Sequence, residues 1–110
     1  IKAANEIGVS IRFERDGINE IGIVDNVDTS IAPNIKDGDI IIKIDSRYFR
    51  PAEVETLLGD PSNAKKKLGW SPEITIEQMI SEMMQSDLDE AKKTKFLQDN
   101  GFNAQISDEI

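Results

Sequence analysis

Two charged side chains, Arg50 and Glu53, stand three positions apart just after an apolar run of the chain. An arginine guanidinium matches phosphate oxygens with paired N–H bonds, and the free N–H groups at a helix start also favour anions. If Pro51 opens a short helix, Arg50 and Glu53 point to the same side of that helix end. The carboxylate can then accept hydrogen bonds from the two hydroxyls of a ribose. The spacing therefore suits a nucleoside diphosphate.

A purely structural interpretation fits the same spacing. Arg50 and Glu53 could pair with each other, with the acid favouring the positive end of the helix dipole. Arg47 is a weaker candidate for a second phosphate contact, because a charge at a strand end is commonly solvated. Tyr48 and Phe49 are adjacent, so one is expected to face the core while the other lies near the ligand. Spacing alone leaves both interpretations open.

Two residue types that often perform enzyme chemistry are missing. The sequence has no His and no Cys, which excludes the commonest general base, a thiol nucleophile and thiolate metal ligands. Its single Tyr has no Lys four positions later, and no glycine-rich phosphate-binding loop is present. We therefore expect these residues to bind a ligand without catalysing a reaction, and we assign no catalytic, metal-binding or cofactor-binding residue.

The composition is that of one globular domain, or of part of one. The 110 residues are 38% hydrophobic and 31% charged, which is unlike a disordered chain. A net charge of −8 disfavours binding to a nucleic-acid backbone. No apolar run approaches the roughly 20 residues that span a bilayer. The lack of cysteine fits a reducing compartment, so we expect a cytoplasmic protein.

Short strands are predicted in the first half of the chain. Residues 9–14 alternate apolar and polar side chains, which is the period of a half-buried strand. The β-branched run over 39–44 predicts a strand buried on both faces. The other predicted elements are the tail of a longer helix over residues 1–7 closed by Gly8, a turn at Asp16–Gly17, a strand over 20–24 and an exposed loop over 25–39.

Helices are predicted in the second half. Thr75 and Gln78 form a capping box that opens the longest helix, which Gly101 ends. Its apolar residues recur at helical spacing, so Met79, Met83 and Met84 are expected in the core. Two shorter helices are also predicted, one over 51–58 and one over 62–68 that Asp60 caps and Gly69 ends. Trp70 is expected in the core, and Lys65–Lys67 are expected to form a solvated face.

Two segments of the second half carry a family resemblance. Residues 47–65 read RYFRPAEVETLLGDPSNAK and residues 68–72 read LGWSP. Together they resemble the C-terminal signature of the GDP-mannose 4,6-dehydratases, which are extended short-chain dehydrogenase/reductases. Upstream, residues 13–22 (FERDGINEIG) resemble the family segment that precedes this signature. The similarity covers roughly residues 1–102.

The resemblance implies a fold and an activity. In the family an N-terminal Rossmann domain binds NADP, and a smaller C-terminal domain holds the GDP-sugar. This chain is accordingly expected to be a mixed α/β substrate-binding domain over residues 1–102, with short strands followed by helices and a flexible tail over 103–110. The family enzyme is a lyase of GDP-fucose biosynthesis that converts GDP-mannose to GDP-4-keto-6-deoxymannose. It is usually dimeric or tetrameric.

The resemblance also implies residue roles. Arg50 matches the family arginine that contacts the pyrophosphate, Glu53 matches the acid that bonds the ribose hydroxyls, and Arg47 is a weaker contact. The catalytic residues and the NADP site of the family lie upstream of the matching segment. The chain departs from the family pattern at Ser46, where Pro is usual, and in a longer loop over 25–39.

Two other functions stay open at this point. Another nucleotide-sugar epimerase or reductase of the same superfamily could use an Arg and an acid at this spacing. A stand-alone interaction domain could instead use the methionine-bearing helix as a partner surface. The RYFRP and LLGDP strings favour the dehydratase over the epimerase or reductase. A start codon just upstream of Ile1, with no Rossmann sequence before it, would favour the interaction domain.

Overall fold

The second strand is the centre of the only sheet in the part of the chain that the structure describes. That structure is a computed structural model, and it describes residues 1–104. The strands are β1 (Val9–Glu14), β2 (Ile21–Val27) and β3 (Ile40–Lys43), paired antiparallel in the order β1-β2-β3. Because β2 has a neighbour on each side, four successive residues from Ile21 to Val24 are buried.

The core lies between β1, β2 and the first helix. Val9, Ile11 and Val24 form its buried centre, and half-buried residues pack around them: Ala4, Ile7, Val27, Ala32 and Ile35. Helix α1 (Lys2–Glu6) turns into β1 at Gly8, whose φ of +75° is in the left-handed region. A Cβ on Gly8 would lie 2.9 Å from the Cβ of Asp28, so the close approach also requires glycine.

The strand over residues 39–44 exists, but its predicted burial is wrong. β3 is an edge strand, and Ile40, Ile41 and Ile42 are 48%, 43% and 40% exposed. Burial on both faces belongs instead to the middle strand β2, whose successive residues from Ile21 to Val24 are all buried. β2 also runs to Val27, three residues beyond its predicted end, so the predicted loop begins at residue 28.

The two later helices confirm the predicted helix boundaries. The long helix, α3 (Ile76–Asp99), begins with the capping box, in which the Gln78 N–H donates to Thr75 Oγ1 at 3.2 Å. The short helix, α2 (Ser62–Leu68), ends at Gly69 with a φ of +63°. Its cap position is Pro61 rather than Asp60, although Asp60 Oδ1 still accepts from the Ser62 N–H at 3.0 Å.

The predicted core role of Trp70 and the methionines is wrong for the described residues. Trp70 is 49% exposed, Met79 is 45% exposed and Met83 is 58% exposed, whereas Met84 is half-buried. Among the described elements α3 packs mainly against the short helix α1, where Lys2 pairs with Glu77. One short neighbour covers only one face of a long helix, so the other apolar positions stay in solvent.

The mixed α/β fold, with short strands followed by helices, is confirmed. Lys65–Lys67 are exposed, as predicted for a solvated face. The predicted tail falls largely on residues 105–110, which lie outside the described residues. Within residues 1–104, no helix is long and apolar enough to cross a membrane.

Candidate functional site

A tight turn follows the edge strand and leads to the candidate ligand residues. The Tyr48 N–H donates to the Asp45 carbonyl at 3.0 Å, which closes a four-residue turn. The Asp45 carboxylate accepts from the Arg47 N–H, also at 3.0 Å. An aspartate that accepts the N–H two residues later makes an Asx-turn, which stiffens the backbone locally. The exit of β3 is thus held by both the backbone and the side chain of one residue.

Arg47 is engaged within this turn. Its Nη2 donates to Asp45 Oδ2 at 2.6 Å, and its Nε lies 3.1 Å from the same oxygen. The guanidinium carbon also lies 5.4 Å from the centroid of the Tyr48 ring, within the range of a cation–π contact. Hydrogen bonds from Arg47 lower the pKa of Asp45, and the same bonds raise the pKa of the Arg47 guanidinium. The second candidate arginine therefore already has an anionic partner.

Arg50 is in the opposite situation. Its side chain is exposed, and no carboxylate of residues 1–104 forms an ion pair with it. A guanidinium without an internal partner keeps its five N–H donors available to an external anion. Of the two arginines in this loop, Arg50 is the one whose donors face no competing carboxylate in the described chain.

The predicted helix over residues 51–58 is absent, and this prediction was wrong. The segment has no regular secondary structure. Its apolar residues are barely covered, with Val54, Leu57 and Leu58 exposed by 68%, 91% and 95%. A helix this short is unstable without packing, and the exposure of these residues shows that no other part of residues 1–104 covers the segment. A proline at the expected first position and an acid in the expected first turn are therefore not sufficient to predict a helix over this segment.

Loss of this helix changes the predicted geometry of the site. Arg50 and Glu53 do not lie one helical turn apart, and both side chains are exposed. The alternative Arg50–Glu53 ion pair is not formed either. The structure therefore brings Asp45, Arg47 and Tyr48 together and leaves Arg50 and Glu53 open to solvent.

Asp45 is the residue that the sequence interpretation missed. An Asp followed two positions later by Arg, directly after a strand, is a recognisable signal for an Asx-turn with a paired side chain. No group of three or more possible metal ligands occurs within the described residues. The chemistry available at this loop is thus anion recognition by Arg50, with the exposed carboxylate of Glu53 three positions later in the chain as an acceptor for hydroxyl groups.

Comparison with known proteins decides the family. The model of the GDP-mannose 4,6 dehydratase family matches residues 2–83, well over half of the chain. The chain belongs to this family. It is 52% identical over 105 residues to the GDP-mannose 4,6-dehydratase of Yersinia enterocolitica, and equally so to that of Vibrio cholerae serotype O1. A Caenorhabditis elegans relative, GDP-mannose 4,6 dehydratase 2, is 40% identical over 83 residues.

The alignments cover most of this chain but only a small part of each relative. The bacterial alignments take in 96% of this chain but 28% of each dehydratase, and the nematode alignment takes in 76% and 19%. The chain therefore corresponds to little more than a quarter of a bacterial dehydratase, consistent with its C-terminal part. The turn at Asp45 and the residues Arg47, Arg50 and Glu53 all lie inside the family match.

Proposed function

We propose that these residues form the C-terminal, GDP-sugar-binding part of a GDP-mannose 4,6-dehydratase. Arg50 binds the diphosphate and Glu53 accepts hydrogen bonds from the ribose hydroxyls. The observation that carries this proposal is the state of Arg50, which is exposed and without an ion-pair partner in residues 1–104 directly after a fixed turn. Arg47 has the lesser role, because its guanidinium is bound to Asp45.

The role proposed for this chain is binding and orientation. The family reaction converts GDP-mannose to GDP-4-keto-6-deoxymannose, with NADP supplying the hydride-transfer chemistry when bound. The sequence has no glycine-rich loop for a dinucleotide, so its residues do not fit NADP and we assign none to it. Catalytic groups are likewise proposed to lie in the remaining part of the enzyme.

The openness of the chain supports a site that is completed by other residues of the full-length enzyme. The accessible surface is 9585 Å², whereas a compact monomer of 12.3 kDa has about 6,100 Å². The radius of gyration is 18.4 Å, against about 13 Å for a compact domain of this length. Eight large hydrophobic residues between residues 40 and 58 are exposed, and this segment contains the proposed ligand loop, residues 49–53.

We therefore propose that the rest of the enzyme packs against residues 40–58 and forms the opposite wall of the ligand cleft. The isolated 110 residues are then expected to bind GDP or GDP-mannose weakly, since one wall alone buries little of a ligand. Titration calorimetry that measured equal affinities for the fragment and for the full-length enzyme would contradict this arrangement.

The proposed ligand contacts are tested in the full-length protein by two substitutions. Arg50→Gln is expected to weaken GDP-mannose binding by about 1.5–3 kcal/mol, as for a hydrogen bond to a charged group. Lys93→Gln is the matched control, because it removes one positive charge from the exposed far end of α3. Equal affinities of the Arg50→Gln and control variants would exclude Arg50 from the site.

A second comparison separates the diphosphate contact from the ribose contact. Arg50→Gln should weaken competitive inhibition by both GDP and inorganic pyrophosphate. Glu53→Gln should weaken inhibition by GDP alone, because pyrophosphate has no ribose. A Glu53→Gln enzyme inhibited by GDP as strongly as the wild type would remove the ribose contact from the proposal.

The reaction itself distinguishes the dehydratase from a related epimerase or reductase. Incubation of the full-length enzyme with GDP-mannose and NADP is expected to give the 4-keto-6-deoxy product. Formation of an epimerised sugar would identify an epimerase instead. A product that forms only with stoichiometric consumption of NADPH would identify a reductase.

A further inference from the structure

Asp45 makes three separate contributions to the turn before the proposed ligand loop. Its carbonyl accepts from the Tyr48 N–H, its Oδ1 accepts from the Arg47 N–H, and its Oδ2 accepts from the Arg47 guanidinium at 2.6 Å. The first two bonds fix the backbone, and the third fixes a side chain. No other residue in the described turn combines these contacts.

These contacts do little for the stability of the whole fold. The Arg47 and Asp45 side chains are 74% and 42% exposed, and exposed ion pairs contribute weakly because solvent screens them. The same contacts still have a strong local effect, because they determine where the chain points after β3. Only four residues separate Asp45 from Arg50, so the direction of this turn sets the position from which Arg50 extends.

The pairing also sets the charge that a ligand meets. An unpaired Asp45 carboxylate would repel a diphosphate, and a released Arg47 would offer a second cation at a different place. Paired, the two side chains are neutral together, and the Tyr48 ring at 5.4 Å holds the guanidinium on the side of the turn. Arg50, just after this turn, then carries the positive charge that has no ion-pair partner in residues 1–104.

We propose that Asp45 is a positioning residue of the nucleotide-sugar site, which fixes the 45–48 turn and retains Arg47 so that Arg50 is presented to the diphosphate. This inference rests on the proposed function of Arg50. It differs from that function in assigning a role to a carboxylate that repels the ligand's charge and does not contact it.

The test compares Asp45→Ala with Asp45→Asn in the full-length enzyme. Asparagine keeps a side-chain oxygen that accepts the Arg47 N–H, whereas alanine removes that acceptor. Asp45→Ala is expected to raise the KM for GDP-mannose about tenfold, equivalent to about 1.4 kcal/mol, with little change in kcat. Asp45→Asn is expected to recover most of this loss. The melting temperature of both variants should stay close to that of the wild type.

The double variant Asp45→Asn/Arg47→Gln tests whether Arg47 is itself a ligand contact. It replaces a charged pair by two neutral amides that can still hydrogen-bond to each other. Its affinity for GDP is expected to fall much less than that of Arg50→Gln, because Arg47 has the lesser role in binding. A double variant as weak as Arg50→Gln would overturn the proposal, because Arg47 would then bind the diphosphate directly.

Other outcomes also separate this inference from the function on which it rests. Normal GDP affinity in Arg50→Gln rejects the proposed function. A weakened Arg50→Gln enzyme with an unchanged KM in Asp45→Ala rejects only the positioning role. A loss of kcat together with a lowered melting temperature in both Asp45 variants would also reject it, because the carboxylate would then act on folding rather than on ligand affinity.

Discussion

Gly22 is the position at which a single added methyl group should disturb the strand that carries the ligand loop. It lies in the central strand β2, directly opposite Ile42 of β3. A Cβ added at Gly22 would lie 2.9 Å from the Ile42 Cβ and 3.2 Å from its Cγ1 and Cδ1. The Cβ of Ile42 is fixed by its backbone, so a change of rotamer does not relieve the contact and β3 itself must move.

The expected cost follows from this geometry. Ordinary Cβ contacts begin near 3.4 Å, so the two strands must separate by several tenths of an ångström. Overpacking of this kind costs about 1–3 kcal/mol. Because β3 is an edge strand with a neighbour on one side only, we expect it to shift as a unit and to carry the turn at Asp45 with it.

Hydrogen exchange in the full-length enzyme measures this effect locally, without assuming that the whole protein unfolds in one step. In Gly22→Ala, the amides that link β2 to β3 are expected to exchange about 5–150-fold faster, the equivalent of 1–3 kcal/mol. The KM for GDP-mannose should rise as well, because the ligand loop follows β3.

Gly59→Ala is the matched control for this substitution. A Cβ at Gly59 has nothing within 4 Å in the described chain, and its φ is outside the left-handed region. Alanine there should leave β2–β3 exchange unchanged, because its effect is confined to restricting the unfolded chain. If Gly22→Ala and Gly59→Ala gave the same β2–β3 exchange rates, the close contact with Ile42 would not constrain the sheet.

Three further outcomes are expected. Ser46→Pro should raise the melting temperature of the enzyme slightly, by an amount equivalent to about 0.4–1 kcal/mol, because proline favours the second position of the turn that begins at Asp45; a lower melting temperature would contradict this. Thr75→Ala should destabilise α3 by about 0.5–2 kcal/mol, seen as faster exchange at its first turn and absent in Ser71→Ala. Hydrogen bonds lower the pKa of Asp45 and Glu77, so the local contacts of these carboxylates are present above the ordinary carboxyl pKa and are lost as the pH falls below about 4; weaker exchange protection of the Arg47 amide at pH 3 than at pH 7, after correction for the intrinsic rates, checks this for Asp45, and equal protection would contradict it.

Local signals in the sequence predicted the elements that depend on neighbouring residues. β1 forms over the residues predicted from their alternation, although Phe13 is 44% exposed, and the capping box of α3 is present. Gly69 and Gly101 have positive φ where their helices end. These features involve residues a few positions apart, so the sequence contains their whole cause. The RYFRP and LLGDP strings likewise indicated the family that the comparisons identify.

Tertiary structure decided which residues are buried. The predictions that depended on burial, for β3 and for the helix after Pro51, were therefore wrong. The isoleucine run of β3 has the composition of a buried strand, but the strand order puts β2 in the middle and leaves β3 at the edge. The helix predicted after Pro51 fails because Leu57 and Leu58 find no partner within residues 1–104. Position in a sheet and the presence of a packing surface depend on residues far away in the chain, so no local pattern fixes them.

The candidate site also has one part that the sequence predicted and another that only the fold determined. Sequence alone selected Arg47, Arg50 and Glu53 as the residues whose chemistry suits a nucleotide. In the folded chain the two arginines have different partners. Arg47 binds Asp45, whereas Arg50 has no ion pair in the described chain. Residue types determine which contacts are chemically available, whereas the direction of a turn in space determines which of them form.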